Sequence, residues 1–289
     1  MILIKILNRY KSGGILSIIR RTYLVIIGYI KTRSIDFIDF FRFEKINKRR
    51  QKLSKVIYDQ AAGIVQYGVF KDMKLQYNSS WGLTDKASMI LGFYESEVIR
   101  EIFNYNDNRH IFIDIGGADG YYSTGALFSK KFTRCICFES DKKSQHVISQ
   151  NAILNGVSDN LIILGIANEI TISKIISELK ENIKNCLILC DIEGAEFDLF
   201  NDNMLAMLNK AKIIIEIHPW MVENGYSKYI SLKKIASKYF TLTELTTTNR
   251  DLSVYKELDK FSDNDRWLLC SEGRSFRMNW LVLTPRCNE

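Results

Sequence analysis

The chain has 289 residues, 46% hydrophobic and 25% charged, with a formal charge of +7. This is ordinary globular composition with enough apolar mass for a sizeable core, and with only two prolines, Pro219 and Pro285, it excludes a proline-rich linker. Residues 1–55 hold 14 Lys or Arg against 3 Asp or Glu, a net of +11, so the basic character belongs to this segment and the remainder is weakly acidic. Such a segment favours anionic partners such as a membrane surface, a nucleic acid or a charged carrier. Six cysteines (Cys135, Cys137, Cys186, Cys190, Cys270, Cys287) form no CxxC pair and have no histidine at zinc-finger spacing. They read as buried thiols of a reducing compartment, and the expected location is the cytoplasm.

The N-terminal segment carries two apolar stretches, Met1–Leu7 and Gly14–Ile30, the second interrupted by Arg20 and Arg21. Neither approaches the about 20 apolar residues of a membrane span, and no cleavable leader is visible. Two readings stay open: amphipathic helices lying on the anionic inner membrane face, or helices packed on the following domain with solvated basic faces. Its aromatics, Tyr10, Tyr23, Tyr29, Phe40 and Phe41, sit among aliphatics and read as packing residues, so no nucleic-acid partner is expected. The expected organisation is a basic helical extension over 1–55 and a domain over 56–289, with its ligand-binding core at about 88–220.

Residues 56–109 mix helix and loop, ending in a helix over Glu97–Phe103. From residue 110, β-rich runs alternate with helical ones. The predicted strands are Ile111–Ile115, Arg134–Glu139, Leu161–Ile166, Cys186–Asp191 and Ile213–His218; the helices are Lys142–Asn155, Ile170–Asn182, Glu196–Asn209 and Ser231–Tyr239. Near-continuous apolar strands alternating with helices predict a parallel, doubly wound sheet. After residue 240 the pattern changes, and Trp267–Ser271 with Asn279–Thr284 reads as an antiparallel hairpin closing the sheet.

The strand ends carry the chemistry. The first runs into Asp114-Ile115-Gly116-Gly117-Ala118-Asp119-Gly120, a glycine-rich turn that lets a ligand approach the backbone. The dinucleotide fingerprint GxGxxG fails at Ala118 and Tyr121, whereas the acidic-x-G-x-G-x-G pattern of S-adenosylmethionine sites departs only at Ala118. A side chain at Gly116 is expected to block the ligand and spare the fold. Glu139, 25 residues after Asp114, is placed to accept from ribose hydroxyls. Gly165 to Asn168 would lie against an adenine edge. Asp191, Glu193 and Glu196 follow the fourth strand, and His218 ends the fifth. His110 and His146 lie outside the crevice.

These runs resemble the FkbM-type methyltransferases, through DIGGADGYY (Asp114–Tyr122), FES (Phe138–Ser140), QNAILNG (Gln150–Gly156), DIEGAE (Asp191–Glu196) and EIHP (Glu216–Pro219). LGFYESEV (Leu91–Val98) and the C-terminal SEGR…MNWLVLTP (Ser271–Pro285) resemble a surface-polysaccharide branch of that family. The resemblance implies a Rossmann-like class I methyltransferase fold, with a mostly parallel seven-stranded sheet, and O-methylation with S-adenosylmethionine as cofactor. It does not fix the acceptor, for which a glycan or glycolipid is the expectation. The expected cofactor contacts are Glu95, Asp114, Gly116, Gly117, Asp119, Gly120, Glu139, Ser140, Asn168 and Asp191, and the expected catalytic residues are His218 and Asp191. An Asn-Pro-Pro-aromatic motif is absent from the fourth strand end, which disfavours amine methylation. His218 is one candidate base for the acceptor hydroxyl and Asp191 the other; a divalent cation held by Asp191, Glu193 or Glu216 is a third option that the sequence does not decide, and no metal is assigned. Alternatives are a small-molecule or nucleic-acid acceptor, or a cofactor-binding protein without catalysis.

Overall fold

The structure is a computed structural model that describes residues 44–79, 82–104, 107–274 and 277–286. The expected helices of Met1–Leu7 and Gly14–Ile30 lie outside the described residues, as does Cys287. The chain divides into two compact units, Met1–Arg49 and Arg50–Glu289. In the first, residues 44–49 are described and are helical. No described helix is long and apolar enough to cross a membrane.

The second unit opens with helical residues 50–60 (α1). Two short helices follow, Lys86–Leu91 (α2) and Ser96–Ile102 (α3). The alternating part then runs Ile111–Ile115 (β1), Tyr121–Phe128 (α4), Arg134–Phe138 (β2), Lys142–Leu154 (α5), Leu161–Leu164 (β3), Glu169–Leu179 (α6), Cys186–Cys190 (β4), Glu196–Leu199 (α7), Asp202–Met207 (α8), Lys212–Glu216 (β5) and Gly225–Ala236 (α9). Phe240–Thr246 (β6), Asp263–Cys270 (α10) and Asn279–Pro285 (β7) complete it.

The seven strands form one sheet in the order β3-β2-β1-β4-β5-β7-β6. The first five are parallel, and β7 runs antiparallel to both β5 and β6. This is the Rossmann-like, mostly parallel seven-stranded sheet with an antiparallel C-terminal pair that the sequence implied. The order reverses between β1 and β4, and a ligand crevice forms above the strand ends at such a point. Strands β1, β4 and β5 are buried throughout, which explains their predominantly apolar content: both faces are covered. On one face Ile113, Ile188 and Ile213 meet Ile172, Leu205 and Leu232 of α6, α8 and α9. On the other, Phe112, Leu187 and Ile214 meet Val98, Ala126 and Ile148 of α3, α4 and α5.

Two expectations are corrected. Trp267–Ser271 is not a strand: Trp267 lies in α10, and β7 pairs with β6 instead, Leu242 opposite Leu283. Ser262 caps α10 by accepting from the Asp265 N–H, and Asp263 and Asp265 in its first turn suit the helix dipole, so local capping outweighs the β-like Trp-Leu-Leu run. The single helix expected over Glu196–Asn209 is broken in two, because the Asn201 side chain accepts from Met204 N–H and starts α8 afresh.

Candidate active site

The turn after β1 folds back on the end of β2. Gly116 and Gly117 N–H groups both donate to the Phe138 carbonyl, at 2.8 and 3.1 Å. Ala118 N–H donates to Glu139 Oε2 at 2.8 Å, and Asp141 N–H donates to Oε1 at 2.7 Å. Ala118 holds a left-handed backbone, φ 46°, at the place where the motif ordinarily has glycine. Asn151 ties the turn down from α5, donating to the Asp119 carbonyl at 2.8 Å and accepting from Gln76 N–H.

Gly116 has another reason to be glycine. A Cβ there would lie 1.8 Å from the Asp191 carbonyl oxygen, on a backbone with φ 93°. The expectation that a larger side chain spares the fold is therefore corrected: the clash is with the neighbouring strand end. Asp114 is buried and accepts from the Ser123 hydroxyl. Burial pushes its carboxyl up to about 7 despite that hydrogen bond, and the Asp191 charge adds to the rise.

A cavity of about 580 Å³ opens above these strand ends, within the range of small-molecule sites. Of the residues expected to touch a cofactor, it is lined by Glu95, Asp114, Gly116, Gly117, Asp119, Glu139, Ser140 and Asp191. Gly120 and Asn168 do not line it. Gly120 starts α4, and Asn168 caps α6, accepting from Thr171 N–H while Thr171 accepts from Asn168 N–H. Gly165, Ile166 and Ala167 form one wall. Tyr94, Tyr122, Asp141 and Trp280 also line the cavity. These the sequence did not single out, although Tyr94 lies in LGFYESEV and Trp280 in the C-terminal motif.

Glu95 enters from the start of α3 on a left-handed backbone. It accepts from the Tyr122 hydroxyl at 2.6 Å and pairs with Arg274. Arg274 also pairs with Glu216 and, at 3.3 Å, with Glu272, and it lies over the Trp280 ring. Arg250 continues the network, pairing with Glu272 at 2.7 Å and with Glu97. The long connection between β6 and β7 is thereby fastened to α3 and to the end of β5, a linkage that no local pattern announces.

At the ends of β4 and β5, carboxylates surround His218, which is 3% exposed. Its Nε2 lies 3.6 Å from Asp191 Oδ1, 3.8 Å from Glu193 Oε2 and 3.9 Å from Glu216 Oε1; its Nδ1 lies 3.5 Å from Glu196 Oε1. Burial alone lowers the imidazole pKa, but Glu196, Asp191 and Glu193 outweigh it and the net direction is upward. Burial raises Asp191 to about 6, opposed by His218. Glu216 is pushed well up by burial and by Asp191. The Asp191 and Glu193 side chains are 36% and 42% exposed, so this cluster is open on one side.

No family model and no curated protein matches the chain. Among solved structures it is similar to the O-methyltransferase TomG from Streptomyces achromogenes in complex with SAM, at 10% identity and TM-score 0.45, over 70% of this chain and 87% of that one. It is similar to an O-methyltransferase from Bacillus cereus in complex with SAH, at 9% identity and TM-score 0.42, over 82% and 90%. The ribosomal protein L11 methylase from Lactobacillus delbrueckii subsp. bulgaricus matches at 12% identity and TM-score 0.42, over 76% and 90%. At identities and TM-scores this low, none of them bears on the cofactor or the acceptor of this chain.

Proposed function

We propose that the chain is an S-adenosylmethionine-dependent O-methyltransferase acting on a sugar hydroxyl of a glycan or of its lipid- or nucleotide-linked precursor. The observation that carries this reading is the charge of the cavity. Eight carboxyl groups line it, and no lysine or arginine does. Arg274 pairs with Glu95 and Glu216, Lys86 pairs with Asp119, and burial favours the neutral form of Asp114. That leaves Glu139, Asp141, Asp191 and Glu193 to make the cavity negative. A dinucleotide would bring its pyrophosphate into that field and be repelled, whereas the sulfonium and ammonium of S-adenosylmethionine are attracted. Glu139 has lone pairs left beyond those taken by the Ala118 and Asp141 N–H groups, and ribose hydroxyls can donate to them. Ile166 and its neighbours offer an apolar wall to an adenine ring.

Methyl transfer is an in-line displacement, so alignment of oxygen, methyl and sulfur is the main demand. His218 is enclosed by carboxylates on both ring nitrogens, which makes it a poor open base. Asp191 faces the cavity. In our reading the acceptor hydroxyl gives its proton to Asp191, its oxygen bonds to the methyl carbon, and the C–S electron pair goes to sulfur. The sugar acceptor is supported by the motif resemblance, above all DIEGAE at Asp191–Glu196, and by a crevice whose carboxylates suit a polyhydroxylated molecule. The net +11 of residues 1–55 supports work at an anionic inner membrane face, where a lipid-linked glycan is presented.

Calorimetry tests the cofactor: S-adenosylmethionine and S-adenosylhomocysteine should bind and NAD should not. Binding of NAD alone would overturn the reading. Mass spectrometry of cellular glycans with and without the protein tests the acceptor, the expected change being loss of one methyl group from a sugar.

A further inference from the structure

We infer that Asp191, Glu193 and His218 form a binding site for one divalent transition-metal ion. Its use in activating the acceptor hydroxyl rests on the methyltransferase reading; the site itself does not. One oxygen from each carboxylate and one ring nitrogen lie within 4.8 Å of one another. Metal–ligand bonds of about 2.0–2.3 Å put the donors of a single ion within that span.

Three further features point to a cation. The first is an orphaned polar atom: Asp191 Oδ1, which lies 3.6 Å from His218 Nε2, is buried and makes no hydrogen bond. His218 is 97% buried, and its Nε2 stands beyond hydrogen-bond length from both Asp191 and Glu193. The second is orientation. Glu196, fully buried, accepts from His218 N–H at 2.8 Å and faces Nδ1 at 3.5 Å. A carboxylate on that side favours the tautomer with the proton on Nδ1 and turns the Nε2 lone pair toward Asp191 and Glu193, as second partners of metal-binding histidines do. The third is charge: four carboxylates surround the ring, and Arg274, on Glu216, is the cation that the ion pairs of the cluster record among the described residues. A divalent ion compensates what remains.

One imidazole with two carboxylates favours manganese, iron, cobalt or zinc over calcium or magnesium. Three protein ligands leave positions open, and the partly exposed sides of Asp191 and Glu193 give an entry path. When bound, such an ion supplies Lewis-acid help to a hydroxyl nucleophile.

The test is titration of the metal-stripped full chain with Mn²⁺, followed by electron paramagnetic resonance. We expect one saturable ion per chain, weakened at least about tenfold by Glu193→Gln, and a nitrogen hyperfine coupling that disappears in His218→Ala. Glu193 is partly exposed, so its variant should fold even if His218→Ala does not, and thermal melting checks both. No saturable binding, or binding that Glu193→Gln leaves unchanged, would overturn the site. Calorimetry with S-adenosylhomocysteine separates the two readings. Cofactor binding without manganese binding sinks the metal site alone; manganese binding without cofactor binding sinks the methyltransferase reading and leaves the metal site standing.

Discussion

The His218 backbone N–H donates a 2.8 Å hydrogen bond to the Glu196 carboxylate, joining the end of β5 to the start of α7 across 22 residues. The same carboxylate accepts from Gly194 N–H at 2.7 Å. Replacing it with alanine strands two buried N–H groups and releases the histidine from its orientation. Glu196→Ala should lower the unfolding free energy by about 3–5 kcal/mol, combining two hydrogen bonds to a charged acceptor. Urea denaturation measures this. An unchanged midpoint would mean that the carboxylate does not hold the two strand ends together.

Glu139 serves the turn and, in our reading, the ligand. Glu139→Ala should weaken S-adenosylhomocysteine binding by about 1.5–3 kcal/mol, the range for hydrogen bonds to a charged group. Because the carboxylate also accepts from Ala118 and Asp141 N–H groups, the loss should be accompanied by faster amide exchange over Gly116–Asp119. Unaltered affinity in calorimetry removes Glu139 from the site.

Asp114 makes stability depend on pH in a direction opposite to most carboxylates. Its folded pKa of about 7, raised by burial, exceeds the about 3.9 of an unfolded chain. The folded state therefore holds the proton more tightly. This contribution is full below about pH 4 and is lost as pH rises through about 7. The wild-type minus Asp114→Asn difference in unfolding free energy should fall by roughly 1.4 kcal/mol per pH unit inside that window. A difference independent of pH would show that the group titrates normally.

Gly116→Ala should destabilise the protein severely, at the upper end for a single substitution, about 4 kcal/mol or more. The added methyl meets the Asp191 carbonyl at 1.8 Å and requires a left-handed backbone. Thermal melting distinguishes this from mere ligand blockade, which would leave the melting temperature of the unliganded protein in place.

Much of the fold was legible because parallel strands buried on both faces leave nearly continuous apolar runs. Ile111–Ile115 and Cys186–Cys190 could be read for that reason alone. The motifs at their ends fixed which residue types stand at the crevice, since a strand followed by a tight turn delivers its next residues to the same edge of the sheet. What the sequence left undecided depends on contacts distant along the chain. The sequence pattern pairs Asn279–Thr284 with Trp267–Ser271; the cap at Ser262 makes the latter helical, and β7 pairs with Phe240–Thr246 instead. Arg274 meets Glu95 across 179 residues, and such pairs are set by packing geometry, not by local pattern. His218 was visible as a residue at a strand end. That it lies buried among four carboxylates, with Glu196 turning its ring, was decided only by the tertiary structure, because the burial and distance that set a group's chemistry are properties of the assembled sheet.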